Sequence, residues 1–396
     1  MVLNLKDEFK KRFNTDEEIM KTFCPYRLCP IGAHVDHQYG LVSGFAIDEG
    51  IEILFVPDKS KVIELESLNM EGRVSFPLND VPEMQNDWAD YLRGGTRYLA
   101  RDKNLKIGLK GLIYGSMPIG GLSSSAAVII CFLKALAMVN NIELTEQEYI
   151  DFALSAEKDY VGVHVGKLDQ SCEVLCKKDH LLFLDTKDDT YKYIPNNPNM
   201  KPFEFAVIFS GVQRTLVGSS FNMRVDECKS ASYLIKALSG IPYGKYADSR
   251  LRDVPYETFL EYKDRIPKDW AKRATHFYTE CERVKKGAEC WANGDLEGYG
   301  KLVFESGYSS INNFETGSDE LKEIYNIMTE TKGIYGGRFS GAGFKGCCMA
   351  IVNPEYKEHI KEEITRRYLE KFPQYKDTFG VYFCKSENGV GIKWNV

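Results

Sequence analysis

The chain has 396 residues, 43% of them hydrophobic and 27% charged, with a net charge of −6 and a pI of about 5.7. An acidic surface disfavours long contact with nucleic acid or an anionic membrane, and no run reaches the ~18 apolar residues of a membrane span. Eleven cysteines, odd in number and widely spread, suit reduced thiols better than a small disulfide-stapled fold; the start carries no apolar leader, so a cytoplasmic location is expected.

Residues 5–21 read as a short charged helix, and 24–44, rich in Gly, Pro and His, as strand, loop and strand. The alternation in 51–67 predicts two strands about a turn at Asp58-Lys59-Ser60. Residues 86–100 carry helical spacing with Trp88, Tyr91, Leu92 and Tyr98 as anchors, and 107–114 form a strand. A Gly/Ser loop precedes a helix over 124–139 that is apolar on most sides and therefore expected to be buried. Helix 146–160, strands 180–185 and 204–210, and helices 219–238, 252–264, 267–292 and 317–329 follow. Strands at 345–352, 382–384 and 391–394 close a sheet-rich C-terminal region. The order is α+β, without the regular alternation of a doubly wound sheet; two lobes are expected, 1–205 and 206–396.

The sharpest local signal is Met117-Pro118-Ile119-Gly120-Gly121-Leu122-Ser123-Ser124-Ser125-Ala126-Ala127. Glycines let backbone N–H groups approach an anion, the start of a helix adds free N–H donors, and serine hydroxyls can meet phosphate or Mg²⁺. The loop lacks both the GK[ST] ending of a P-loop and G-x-G-x-x-G, so the pattern alone leaves a serine-capped helix open. A second cluster, Tyr335 to Gly346, holds six Gly or Ser residues and Gly343 among them. That density is entropically costly and suggests backbone pressed against a ligand or another loop.

With these loops in place, the sequence resembles the GHMP small-molecule kinase superfamily, and within it the galactokinase branch. The resemblance runs over nearly the whole chain in family order: Arg27 to His37, Trp88 to Gly94, the loop at 118–127, Ala156 to Gly162, Gly166 to Gln170, Asn222 to Cys228, and 336–346. It implies two lobes with ATP and a sugar between them. By the same resemblance, Asp169 meets the hydroxyl that receives the phosphate and Arg27 stabilises charge beside it. Trp88, Gly120, Gly121, Leu122, Ser123, Ser124, Ser125 and Ala126 fall on the nucleotide side, and Ser125 with Glu157 match the Mg²⁺ ligands. His34, Asp36, His37, Phe221 and Gly343 fall on the sugar side. Cys24, Cys29, His34 and His37 lack the spacing of a zinc site.

Departures from the branch cluster in one pocket. Ala33 stands where the family has a glutamate that meets the sugar's C6 hydroxyl. Removing that charge admits a C6 carboxylate, which a glutamate would repel. Arg214 replaces a family histidine, Phe221 a tyrosine, and His37-Gln38 a Tyr-Asn pair. Arg214 or His37 is expected to hold the carboxylate. The implied reaction is ATP plus D-galacturonate giving ADP and the 1-phosphate, with galactose, arabinose or glucuronate as alternative substrates and a silent sugar sensor as the alternative class. The expected partners are a small sugar acid, no nucleic acid and no membrane, in a monomer or weak homodimer.

Overall fold

The computed structural model describes residues 4–212 and 218–390, with the backbone alone for 218–220. Helix α1 (Leu5–Phe13) buries Phe9 and Phe13 beside Leu54, Val56 and Leu112. It stops short of the expected 21 because Asn14 takes a left-handed conformation and its N–H donates to the Lys10 carbonyl, an αL stop that asparagine tolerates. The chain then enters β1 (Met20–Leu28), crosses a one-turn helix at Asp36–Gln38, and runs the 18 residues of β2 (Leu41–Asp58). Strands β3 (Val62–Ser67) and β4 (Val74–Pro77) precede α2 (Asp90–Asp102), β5 (Gly108–Gly115) and α3 (Ser124–Val139). Next come α4 (Glu146–Ser155), a π-helical turn at Ala156–Tyr160, α5 (Leu168–Leu175), β6 (His180–Asp185) and β7 (Tyr191–Pro195).

The second half begins with β8 (Glu204–Phe209) and α6 (Gly218–Ser239). The helix expected over 252–264 is the shorter α7 (Tyr256–Tyr262), flanked by single 3₁₀ turns at Leu251–Asp253 and Lys263–Arg265. Helices α8 (Lys268–Ala292) and α9 (Leu296–Ser309), a second π turn at Ser310–Phe314, and α10 (Asp319–Glu330) follow. Strands β9 (Ile334–Phe339) and β10 (Cys347–Val352), α11 (Lys357–Lys371), β11 (Gly380–Cys384) and the two-residue β12 (Ser386–Glu387) complete the described chain. The strand expected at 391–394 lies outside the described residues.

Two sheets organise these elements. One has the order β4-β3-β5-β2-β6-β7, with β1 and β12 also pairing along β2. All its pairs are antiparallel except β3 with β5. The other is antiparallel, β11-β8-β10-β9. Every residue of β10 is buried, as its unbroken apolar run Cys-Cys-Met-Ala-Ile-Val requires of a strand covered on both faces. Helix α3 packs on β1 and β2 and buries ten of its residues, so its apolar circumference is satisfied by sheet on one side and by α2, α4 and α5 around it. No helix is long and apolar enough to cross a membrane among the described residues.

Candidate active site

Arg27, near the end of β1, and Asp169, in the first turn of α5, meet in the middle of the molecule. Arg27 Nε donates to Asp169 Oδ1 at 2.7 Å, and Nη1 donates to the Gly121 carbonyl at 3.0 Å and to Ser340 Oγ at 3.4 Å. Ser340 Oγ itself donates to the Gly121 carbonyl at 2.6 Å. One guanidinium thus ties a strand of the first sheet to both glycine clusters. Burial opposes its charge, but the neighbouring Asp169 outweighs burial and raises the arginine's pKa, so Arg27 stays a cation. The Asp169 side chain is a quarter exposed while that of Arg27 is 3% exposed, so the carboxylate is the member a substrate can reach.

The two glycine clusters press backbone to backbone. A Cβ on Gly120 would stand 3.0 Å from Gly346 Cα, and one on Gly341 would stand 2.9 Å from Gly121 Cα. All four glycines also have positive φ, so side chains are excluded by space and by conformation together. Of the two partners expected for the second cluster, it has another loop. Leu122 and Ala126 are buried in the core, so only their backbone can face a phosphate. Ser124 and Ser125 line a cleft of about 730 Å³ together with Trp88, Tyr91 and Gly346. No side chain caps the first turn of α3. Its leading N–H groups form the kind of positive, donor-rich end that holds anions.

Glu157 sits in the π turn after α4, buried, and accepts from Gln170 Nε2. The turn packs against α3, whose Ser125 faces the cleft. A hydroxyl and a carboxylate are oxygen donors of the type Mg²⁺ takes. Among the described residues no group of three or more His, Cys, Asp or Glu could hold a metal. A Mg²⁺ held here would therefore draw its other ligands from phosphate and water.

The loop after β1 reaches the start of α5, which carries Asp169. Asp36 Oδ2 accepts from the Leu168 N–H at 3.2 Å, next to Asp169 in the chain. Burial, and then the charge of Asp169, push the Asp36 carboxyl up to about 6. His34, at φ 63, stacks on Phe314 with ring centres 4.5 Å apart, and Phe221 stands 6.4 Å from His34 and 6.0 Å from His37. Phe314 belongs to the second π turn, so both π turns serve the site, a recurring use of that geometry. Gly343 packs against Phe339 and Thr316. Arg214 lies outside the described residues.

His37, expected with Arg214 to hold the carboxylate, is uncharged in its buried surroundings. Burial, with Arg250 and Lys229 adding to it, lowers its pKa to about 3, so the ring is neutral at physiological pH. Its tautomer follows from Gln38. The Gln38 Oε1 accepts from the Leu251 N–H at 3.0 Å, which turns the amide N–H₂ toward His37 Nδ1 at 3.1 Å. Nδ1 is then the acceptor and Nε2 carries the hydrogen. His37 Nε2 and His34 Nε2 are buried without a hydrogen-bond partner. His37 therefore offers an unpaired neutral donor.

Behind this loop lies a polar layer that sequence reasoning missed. Glu280 of α8 accepts from the Gly32 N–H at 2.7 Å, and His276, one turn earlier, donates from Nε2 to the Ala33 carbonyl at 3.0 Å. His276 is held neutral, at about 4, chiefly by burial, so its Nδ1 accepts from Ser309 Oγ at 2.9 Å. Glu280 is fully buried, yet the charges of Arg283 and Arg338, with the Ser306 hydroxyl, overcome that burial and keep it ionised, at about 2. Arg338 donates to Ser306 Oγ and Ser310 Oγ, and Ser306 in turn donates to Glu280. The available signal was the pair of polar residues four apart on a helix whose same face carries Phe277, Cys281 and Val284.

Family models for the GHMP kinase N-terminal domain and C-terminal domain match residues 90–177 and 288–371. The chain is 35% identical to a galacturonokinase of Arabidopsis thaliana, over 95% of this chain and 94% of the relative. It is 31% identical to a galactokinase of Clostridium acetobutylicum, over 93% and 94%. The chain belongs to the GHMP kinase family. The crystal structure of Lactococcus lactis galactokinase complexed with galactose superposes with a TM-score of 0.88 at 25% identity, over 97% of this chain and 98% of that one. Methanococcus jannaschii mevalonate kinase, at TM-score 0.63 and 18% identity, shares the fold. This GHMP kinase is therefore galactokinase-like in its architecture, a small-molecule phosphotransferase whose fold mixes helices with two sheets. Its 11 cysteines are all free, ten of them buried.

Proposed function

We propose that this kinase transfers the γ-phosphoryl group of ATP to the anomeric C1 hydroxyl of D-galacturonate, giving galacturonate 1-phosphate and ADP. The observation that carries the sugar-acid reading is the loop that holds Ala33 and His37. It presents no carboxylate at that position and an unpaired neutral N–H at His37. A glutamate there would face a C6 carboxylate charge to charge, whereas an alanine sets no charge against it and the unpaired His37 N–H on the same loop is a donor for it. Similarity to a galacturonokinase supports the same reading.

In this mechanism the triphosphate lies along the cleft with its phosphates at the start of α3, and the sugar lies against His34, Asp36 and Phe221. Asp36 accepts from adjacent ring hydroxyls. Asp169 orients the C1 hydroxyl and takes its proton as the oxygen attacks the γ-phosphorus in line. The new O1–P bond forms as the bond from the γ-phosphorus to the β,γ-bridging oxygen breaks, and ADP leaves with that oxygen. Arg27 stays charged throughout and stabilises the negative charge spread over the transferring group. Ser125 and Glu157 would hold Mg²⁺, which neutralises phosphate charge when bound. Work with an intracellular ATP supply fits a cytoplasmic enzyme.

The test is ADP release with Mg²⁺-ATP against D-galacturonate, D-glucuronate, D-galactose and L-arabinose. A kcat/KM for galacturonate at least tenfold above the others is expected. Preference for galactose would overturn the Ala33 argument and leave the kinase assignment intact. Preference for glucuronate would keep the carboxylate pocket and correct the C4 configuration.

A further inference from the structure

Three buried polar atoms near the phosphate loop have no hydrogen-bond partner and no place in the mechanism above: Ser123 Oγ and both carboxyl oxygens of Glu173. Ser123 occupies the N-cap position of α3. A serine there ordinarily turns its oxygen onto the N–H of the second or third helical residue. Here it does not. Its φ is 62, its side chain makes no cap, and its hydroxyl points into the protein. Glu173 lies on α5 one turn beyond Asp169 and is fully inaccessible.

The two residues face each other. Burial is the main cause that drives the Glu173 carboxyl well above the carboxylate range; the charges of Asp169 and Glu157 add to it, while Arg27 and the Ser123 hydroxyl act the other way. The hydroxyl is thus close enough to influence the acid without a well-aligned hydrogen bond in this conformation. Cys24 and Tyr26 of β1 complete the surroundings, and each is affected in turn by Glu173.

We propose that Glu173 is a positioning residue for the phosphate loop, holding the Ser123 hydroxyl inward so that the leading N–H groups of α3 stay uncapped and free for the nucleotide's phosphates. The inference rests on the reading of α3 as the nucleotide end of the site. As an uncharged acid, Glu173 donates its O–H to Ser123 Oγ and places no negative charge behind the triphosphate. Without that donor the serine is released, and once its backbone returns from the left-handed to the extended conformation of an ordinary cap its oxygen competes with phosphate for the same N–H groups. Glutamine in this position keeps a donor of the same length, and leucine removes it.

The experiment compares steady-state kinetics of the full chain and its Glu173→Leu, Glu173→Gln, Ser123→Ala and Ser123→Ala/Glu173→Leu variants, with Mg²⁺-ATP and the preferred sugar of the panel. Glu173→Leu is expected to raise KM for ATP at least tenfold with KM for the sugar within twofold of the parent. Glu173→Gln should restore KM for ATP to within twofold. Once Ser123 has no hydroxyl to misplace, adding Glu173→Leu should change KM for ATP by less than twofold. In the parent, KM for ATP should rise at alkaline pH as Glu173 ionises and sets a negative charge behind the triphosphate, and Glu173→Gln should abolish that rise. Equal losses for ATP and sugar, failure of glutamine to restore, or independent effects in the double variant would overturn the proposal. If Glu173→Leu does not fold, the glutamine pH profile decides alone. A parent that neither binds nor turns over ATP would sink the nucleotide-site reading itself, a result distinct from any of these.

Discussion

Asp169 and Asp36 are brought together through the Leu168 N–H that Asp36 accepts, yet their surroundings differ. Asp169 is paired with a guanidinium that cannot lose its charge, and removing its carboxylate leaves Arg27 buried without its counter-ion. On the proposed mechanism Asp169→Asn should lower kcat by roughly 10²–10⁴-fold with KM for ATP little changed; a rapid-quench measurement of the phosphoryl transfer step checks it. Asp36 makes no ion pair among the described residues, and burial, then the charge of Asp169, push its carboxyl up to about 6. Only the ionised form accepts from two sugar hydroxyls on two charged oxygens, so kcat/KM for the sugar should fall as pH drops through about 6, and Asp36→Asn should remove that acid limb. The stability sign is opposite. The folded chain holds this proton more tightly than the unfolded chain, so Asp36 reduces stability progressively as pH rises from about 4 to 6. Ala33→Glu should shift substrate preference from galacturonate toward galactose, with a loss for galacturonate of roughly 10²-fold, read as the ratio of the two kcat/KM values.

At the scale of elements, the loop after β1 is held from behind by α8. Glu280 joins Gly32 of the loop, Ser306 of α9 and Arg338 of β9 in one buried network. Glu280→Gln removes the carboxylate beside Arg338 in that network and should cost about 3–5 kcal/mol of unfolding free energy, measured by urea denaturation at pH 7. The difference should shrink in strong acid, because stability due to a carboxylate held at about 2 is present above its unfolded pKa and lost as pH falls through that value. The same scale explains what the sequence could reveal. Helix α3 was legible to the residue because its apolar composition is continuous and serine precedes it. The first helix was drawn too long because Asn14 is a stop signal only once its backbone turns left-handed. Strand β9 was hidden in a glycine cluster. Its Gly336 is small because the Gly300 backbone of α9 lies against it: a Cβ at Gly336 would stand 2.6 Å from Gly300 Cα. Such a reason exists only in three dimensions. Helix α11 carried a usable signal, Ile360, Ile364 and Tyr368 at spacing four, all buried. Arg27 and Asp169 were legible through their motifs. Glu173, His276 and Glu280 were not, since what singles them out is the absence or presence of partners far away in the chain.

For the molecule as a whole, the cysteines report on integrity. Ten are buried and Cys290 alone is partly exposed, and burial raises the thiol pKa of Cys24, Cys29, Cys228 and Cys347 among others. Buried thiols that stay protonated react slowly. An aromatic disulfide reagent should therefore label one thiol quickly in the native protein and all 11 in denaturant. Fast labelling of several would show that the two sheets part readily.

The backbone contact between the two glycine clusters also bears on how the enzyme comes into being. Ser340 bonds the Gly121 carbonyl across 219 residues of sequence. A ribosome adding 5–20 residues per second takes roughly 10 to 45 s to span that distance. Throughout that interval the nascent chain holds the phosphate loop without the neighbour that shapes it. Nucleotide should therefore give no protection to stalled chains that end before Gly346, and should begin to protect them from protease only once that segment has cleared the exit tunnel.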